Sequence, residues 1–314
     1  MKFGQFLRDW ALVLAILTGI LAYFVYVAIP LLDSTHALAM QAVGIVQPAL
    51  IFAMLFLTFC RVSPRELRLC GWHLWLLLIQ GGAFTALALV VMSMPHGGWR
   101  VILEGAMLCL ICPTATAAAV ITRRLGGDVA HVTTYTILIN ILGALLIPAL
   151  TPLVHPEGTL GFAGSAVLIM REVFPLLLLP LAGALLLRWK WPKACEMLGR
   201  HAEWSFYLWA VALALAMTVT TRSIVHSTVG LATQGGLVGV SLVCCALQFW
   251  LGRKIGRRYG DAITAGQALG QKNTVFIIWL GYTFFTPVTA VIGGFYSIWH
   301  NLVNTWQLYR HDHR

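Results

Sequence analysis

The chain has 314 residues, of which 59% are hydrophobic and 10% charged, with a formal net charge of +10 and a mean hydropathy of +0.83. Soluble domains carry about a quarter charged residues, so composition excludes a soluble globular domain and implies an all-α polytopic membrane protein. In such a chain the surplus of lysine and arginine sets topology and does not point to nucleic acid.

Ten apolar segments approach the roughly 20 residues that a spanning helix needs. They cover approximately residues 10–29, 37–60, 72–94, 101–122, 132–154, 163–187, 203–221, 231–252, 261–285 and 286–309, the last two sharing almost no loop. The first begins "MKFGQFLRDW"; its apolar run is too long for a signal-peptide core and no small-residue cleavage site follows, so it is expected to stay as a span. With the N-terminus placed in the cytoplasm, every lysine and arginine except four lies in the tails or inner loops. The inner set runs from Lys2 and Arg8 through Arg61, Arg65 and Arg68 to Arg310 and Arg314. Arg100 and Arg222 fall outside, and Arg171 and Lys272 fall within spans. The positive-inside rule then predicts a protein of the plasma (inner) membrane with both termini cytoplasmic. Tryptophans near span ends, such as Trp72, Trp75, Trp99, Trp189 and Trp191, read as the interfacial belt.

Ten spans divide into two halves of five, residues 1–160 and 161–314. An odd number of spans per half requires the second half to enter from the opposite side, which makes the halves inverted repeats. The fourth span is interrupted at "CPTATAAAV" (Cys112 to Val120), where Pro113 breaks the helix. The ninth is interrupted at "GQKNTVF" (Gly270 to Phe276), half a chain length further on. A single proline in a spanning helix is commonly only a kink. Two interruptions at matching places, one rich in threonine and one in amides, point to a transport site between them.

These segments resemble a known family. "CPTAT", "DVA" opening the fifth span, "LIPALTP" closing it, "GQKNT" in the ninth and "SIWHN" in the tenth are similar to the bile acid:sodium symporter family, part of a superfamily with arsenite and auxin carriers. The resemblance implies a panel and a core domain, broken fourth and ninth helices that cross near the midplane, and alternating-access transport of an organic anion. The family's fourth-span pattern Pro-Gly-Gly-Thr-Ala-Ser-Asn falls on Pro113 to Ala119. It keeps the substrate-facing threonine as Thr116 and replaces the Ser-Asn pair of a sodium site by Ala118 and Ala119. Its ninth-span pattern Glu-x-Gly-x-Gln-Asn-Ser falls on Ala268 to Thr274. The glutamate shared by both sodium sites is Ala268 here, and a sodium-binding glutamine is Lys272. Asn273 is retained, as are His300 and Asn301, which line the cavity in relatives; Gln80 matches a third-span glutamine of the second sodium site. The substrate set implied is Thr114, Thr116, Asn273, Thr274, His300 and Asn301.

Sodium is a hard cation that needs oxygen ligands, as the other hard cations do, and alanine has none to offer. An ammonium a few ångströms from the ion would add a repulsion of about 4 kcal/mol at an effective dielectric near 20. The sequence therefore predicts that Lys272 takes the place of a sodium ion, bonded to unwound carbonyls and to Gln80, with Gln271 beside it. Proton coupling through Lys272, exchange or uniport all remain open. Lysine snorkelling is the alternative, and the mid-span position of Lys272 opposes it.

The remaining polar residues read more plainly. Cys109 and Cys112 have redox-motif spacing but on a buried helix are expected to be small apolar residues, and no metal or cofactor is expected. Asn140 is expected to bond between helices, Arg171 and Glu172 to reach outward, Glu104 to be solvated at the outer mouth, and "RKIGRR" (Arg253 to Arg258) to meet lipid headgroups. A membrane enzyme would need a nucleophile–base or metal constellation, which these residues do not form. A sodium-dependent symporter and an arsenite-type carrier using Cys112 are the alternative transporters. The expected partners are a small organic anion and membrane lipids, with the protein a monomer.

Overall fold

A computed structural model describes residues 11–61, 63–155, 161–200, 202–226 and 229–313. Lys2, Arg8 and Arg314, part of the topology expectation, lie outside them. The described chain is helical throughout: α1 (Ala11–Ala28), α2 (His36–Cys60), α3 (Gly71–Met92), α4 (Gly98–Ile111), α5 (Ala118–Arg124), α6 (Val129–Val154) and α7 (Gly161–Lys190), then α8 (Pro192–Arg200), α9 (Ala202–Val225), α10 (Leu231–Arg257), α11 (Ala262–Gly270), α12 (Thr274–Phe284), α13 (Pro287–Ala290) and α14 (Ile292–Asp312). Hydrocarbon offers the backbone no hydrogen bonds, so an apolar chain of this kind closes them within helices.

Among the described residues, α2, α3, α6, α7, α10 and the Tyr207–Val225 part of α9 are long and apolar enough to cross a membrane. The Val13–Ala28 part of α1 and Thr274–Phe284 are apolar but shorter. The two expected interruptions split the fourth segment into α4 and α5 and the ninth into α11 and α12. The doubtful boundary between the last two segments falls at Phe285–Thr286, where Thr286 caps α13 with Pro287 in its first turn. One element was not foreseen: α8 occupies what reads in the sequence as an inner loop.

Packing follows a pairwise pattern. α1 lies on α9, α7 on α2, and α2 on α9; α3 packs on α4 and α6, while α10 packs on α11, α14 and α4. A close crossing joins α10 and α11, and its sequence cause is visible. A Cβ at Gly252 would stand 2.4 Å from the Ala265 carbonyl oxygen. With Gly256 one turn on, the pair makes a small-residue seam that admits close backbone approach. Just before α11, Asp261 Oδ2 takes the Trp72 indole N–H at 3.1 Å and lies 2.8 Å from His131 Nδ1. That carboxylate ties α3, α6 and α11 together. Asp128, from the "DVA" motif, caps α6 by accepting from the His131 amide at 3.0 Å.

Candidate functional site at the crossing of two broken helices

Each break has a local cause. Pro113 excludes the helical region for the residue before it, and Cys112 accordingly turns out at ψ 134 after its amide makes a last helical bond to Leu108. In α11 the chain leaves at Gln271, ψ 119. A Cβ on Gly270 would sit 2.4 Å from the Phe249 ring, so only glycine lets α11 end against α10.

The two extended segments then meet. Thr114 and Lys272 form an antiparallel bridge, with the Ala115 amide on Gln271 O at 3.1 Å and the Asn273 amide on Pro113 O at 2.9 Å. Backbone groups that would stand orphaned at membrane depth satisfy one another, as an unwound segment there requires. Side chains complete the closure. Thr114 Oγ1 donates to Ala268 O at 2.7 Å, Cys112 Sγ to Asn273 O at 3.0 Å and Tyr296 OH to Gly270 O at 2.8 Å. Gln80 Nε2 donates to Cys112 O at 3.0 Å, while Gln80 Oε1 accepts from Tyr135 OH at 2.8 Å. Asn273 caps α12, its Oδ1 accepting from the Phe276 amide at 3.2 Å.

Lys272 lies at the centre with 0% of its surface exposed. Its Nζ has one acceptor, Leu110 O at 3.5 Å, in the last turn of α4 where the helix dipole favours a cation. The buried thiols of Cys112, Cys109 and Cys244 are among its electrostatic neighbours. It makes no ion pair among the described residues. The ammonium has three donors, and one long carbonyl contact leaves it under-satisfied. α12 begins at Thr274, two residues after Lys272, so the N-terminal end of its dipole adds partial positive charge beside this crossing.

The expected residues are thus brought together, with changes of partner. Gln80 serves the Cys112 carbonyl and does not bond Lys272. Gln271 donates to Gln267, whose Nε2 donates to Gln307 Oε1 at 2.8 Å. Thr114 and Thr274 are buried, Thr116 is half-buried, and His300 Nδ1 accepts from the Lys272 amide at 3.5 Å. Asn301 donates to Ser297 O within its own helix at 2.7 Å. Ala118 and Ala268 are buried apolar contacts of one cluster. The Cys109 and Cys112 side chains are buried free thiols.

Three expectations fail. Asn140 does not bond between helices: its Nδ2 donates to Thr136 O at 2.6 Å, one turn back on α6, and its Oδ1 has no partner. Glu104 is not solvated: it is 1% exposed and accepts from Arg100 Nε at 3.0 Å, His155 Nε2 at 2.9 Å and Thr289 Oγ1 at 3.3 Å. Arg100, assigned to an outer loop, is buried in α4, with its other nitrogens on Met94 O at 2.8 Å and Val154 O at 2.6 Å. The i, i+4 spacing of Arg100 and Glu104 was the available signal for this cluster. It borders a cavity of about 270 Å³ with His96, Gly98 and Thr286. Arg171 and Glu172 are exposed, as expected.

No curated protein matches the chain. Among protein families, residues 9–296 match the SBF-like CPA transporter family. Its name carries the same resemblance that the two breaks and the tenth-span motif express in sequence. The chain belongs to the SBF-like CPA transporter family and is a membrane transporter.

Proposed function

We propose that the protein is a secondary transporter that moves a small organic anion, a carboxylate or bile-acid-like solute, by alternating access without ordinary sodium coupling. The observation that carries this reading is a fully buried Lys272, at the meeting of two broken helices, with no carboxylate partner among the described residues. An unpaired buried charge is costly, and an anionic solute arriving at the crossing supplies the counter-charge. Thr116, Thr274, His300 and Asn301 would contact that solute. Thr114 and Asn273 would hold the crossing in shape.

The carbonyl inventory opposes a sodium site. The oxygens of Cys112, Pro113, Ala268, Gly270, Gln271 and Asn273 are each taken by a donor from this chain. Ala118, Ala119 and Ala268 bring no side-chain oxygen, so the hard-cation ligand set is missing. In this reading Lys272 takes the ion's place against the C-terminal end of α4.

The pairing of helices supports two inverted five-span repeats, 1–160 and 161–314. α1 on α9 and α7 on α2 exchange under a shift of five spans, as do α3 on α4 with α10 on α11 and α3 on α6 with α10 on α14. α1, α2, α7 and α9 would form a panel and the remaining spans a core. Both termini would lie in the cytoplasm of a cell whose plasma (inner) membrane holds the protein as a monomer.

Uptake into proteoliposomes, comparing sodium with choline and imposing a pH gradient, tests this reading. Solute uptake that is indifferent to sodium is the expected result; strong sodium dependence overturns it. A thermal-shift screen of carboxylates on the purified protein identifies the solute. One observation favours a second reading, an arsenite-type carrier: the buried thiols of Cys109, Cys112 and Cys244 are electrostatic neighbours of Lys272. Unchanged arsenite sensitivity in cells lacking the protein would remove it.

A further inference from the structure

We propose a separate oxyanion-binding site at the inner end of the molecule, in the cavity of about 120 Å³ lined by Arg253, Gln307 and Arg310. Leu125, Ile263, Trp306 and His311 complete its wall, and no acidic side chain lines it. It lies between the ends of α10 and α14 and the start of α11, away from Lys272 and from the substrate set above.

Its polar lining is dominated by donors: two guanidinium groups and an amide, beside the imidazole of His311. The Arg253 guanidinium is half-buried and has neither an ion pair nor a hydrogen bond among the described residues. Arg310 lies over the Trp306 ring, 4.8 Å from its centre, which positions its guanidinium without using its hydrogen-bond donors. Gln307 is 5% exposed, and its orientation is dictated from within. Gln271 donates to Gln267, so Gln267 presents its Nε2 to Gln307 and claims the Gln307 Oε1. The Gln307 Nε2 remains, an amide donor with no acceptor among the described residues. Two guanidinium groups and an amide, with no acceptor among them, fit a phosphate or carboxylate group by charge and by bidentate geometry.

The same chemistry can come from a phospholipid headgroup of the inner leaflet or from a free anion. Trp306 and Tyr309 are exposed at 51% and 62%, at the end of α14, where aromatic side chains mark a membrane interface.

Two binding measurements on the full-length protein distinguish the sources, and neither involves transport. The first follows thermal unfolding in detergent with inorganic phosphate against chloride at matched ionic strength, which removes general screening. The second compares nanodiscs with and without phosphatidylglycerol. Wild type is set beside R253Q and R310Q; the second alters an exposed position and keeps the test usable should R253Q fold poorly. Stabilisation by phosphate, with an apparent affinity about tenfold weaker in each folded variant, supports the site with a free anion. Stabilisation by phosphatidylglycerol alone, lost in the variants, supports it with a headgroup. A wild type indifferent to both, or variants that respond as wild type does, overturns the proposal.

Discussion

Two buried cations in this protein are treated in opposite ways. Arg100, in the first turn of α4, spends its guanidinium on Glu104, Met94 O and Val154 O, and Glu104 in turn collects His155 and Thr289. Lys272 has a single carbonyl at 3.5 Å and no carboxylate among the described residues. The first cluster is complete: it joins α4 to the end of α6 and to α13 and asks nothing of a ligand. The second is incomplete among the described residues, which is what the proposal of an incoming anionic solute rests on. Buried charge by itself therefore does not identify a transport site. The inventory of partners does.

Variants break or sharpen that contrast. The largest effect on stability is expected from Glu104→Ala, which strands the Arg100 guanidinium; breaking a buried pair in this way costs about 3–5 kcal/mol, read as a fall in the unfolding midpoint. Lys272→Met should behave in the reverse sense. It removes an under-satisfied charge, so stability is held or raised, while solute affinity falls by about 10- to 100-fold with the loss of a charge-assisted contact. Equal destabilisation by both variants would erase the distinction between the two centres. Gly270→Ala forces a Cβ into the Phe249 ring; overpacking of this kind costs about 1–3 kcal/mol, and because it moves the end of α11 it should lower transport as well as the midpoint. Thr114→Val removes the bond to Ala268 O and is expected to cost about 1 kcal/mol. Its size against Gly270→Ala tells whether side-chain bonds or backbone approach dominates the crossing.

The predicted features that held are those with a local physical cause. Six described helices of span length (fewer than the ten apolar segments of the sequence), the exit at Pro113 and the glycine at position 270 each follow from chain chemistry over a few residues. The boundary at Thr286–Pro287 is of the same kind, a cap and a proline side by side. Features that depend on who stands opposite were misjudged. Glu104 reads as an exposed acid at a span end until the end of α6 delivers His155 and Val154 to it. Asn140 reads as an interhelical donor until its amide turns back on Thr136. Gln80 was matched to Lys272 by position, yet it serves the Cys112 carbonyl because Tyr135 fixes its other end.

Sequence alone determined that this chain lies in a membrane, where its helices break, and that alanines stand where a hard cation would need oxygen. These are properties of hydration, of proline and glycine backbone, and of single side chains, and they need no partner to be stated. Tertiary structure decided which buried groups are satisfied. A donor or acceptor 150 residues away leaves no periodic trace along the chain, and only folding brings Ala268 O to Thr114 while leaving Lys272 without a counter-charge among the described residues.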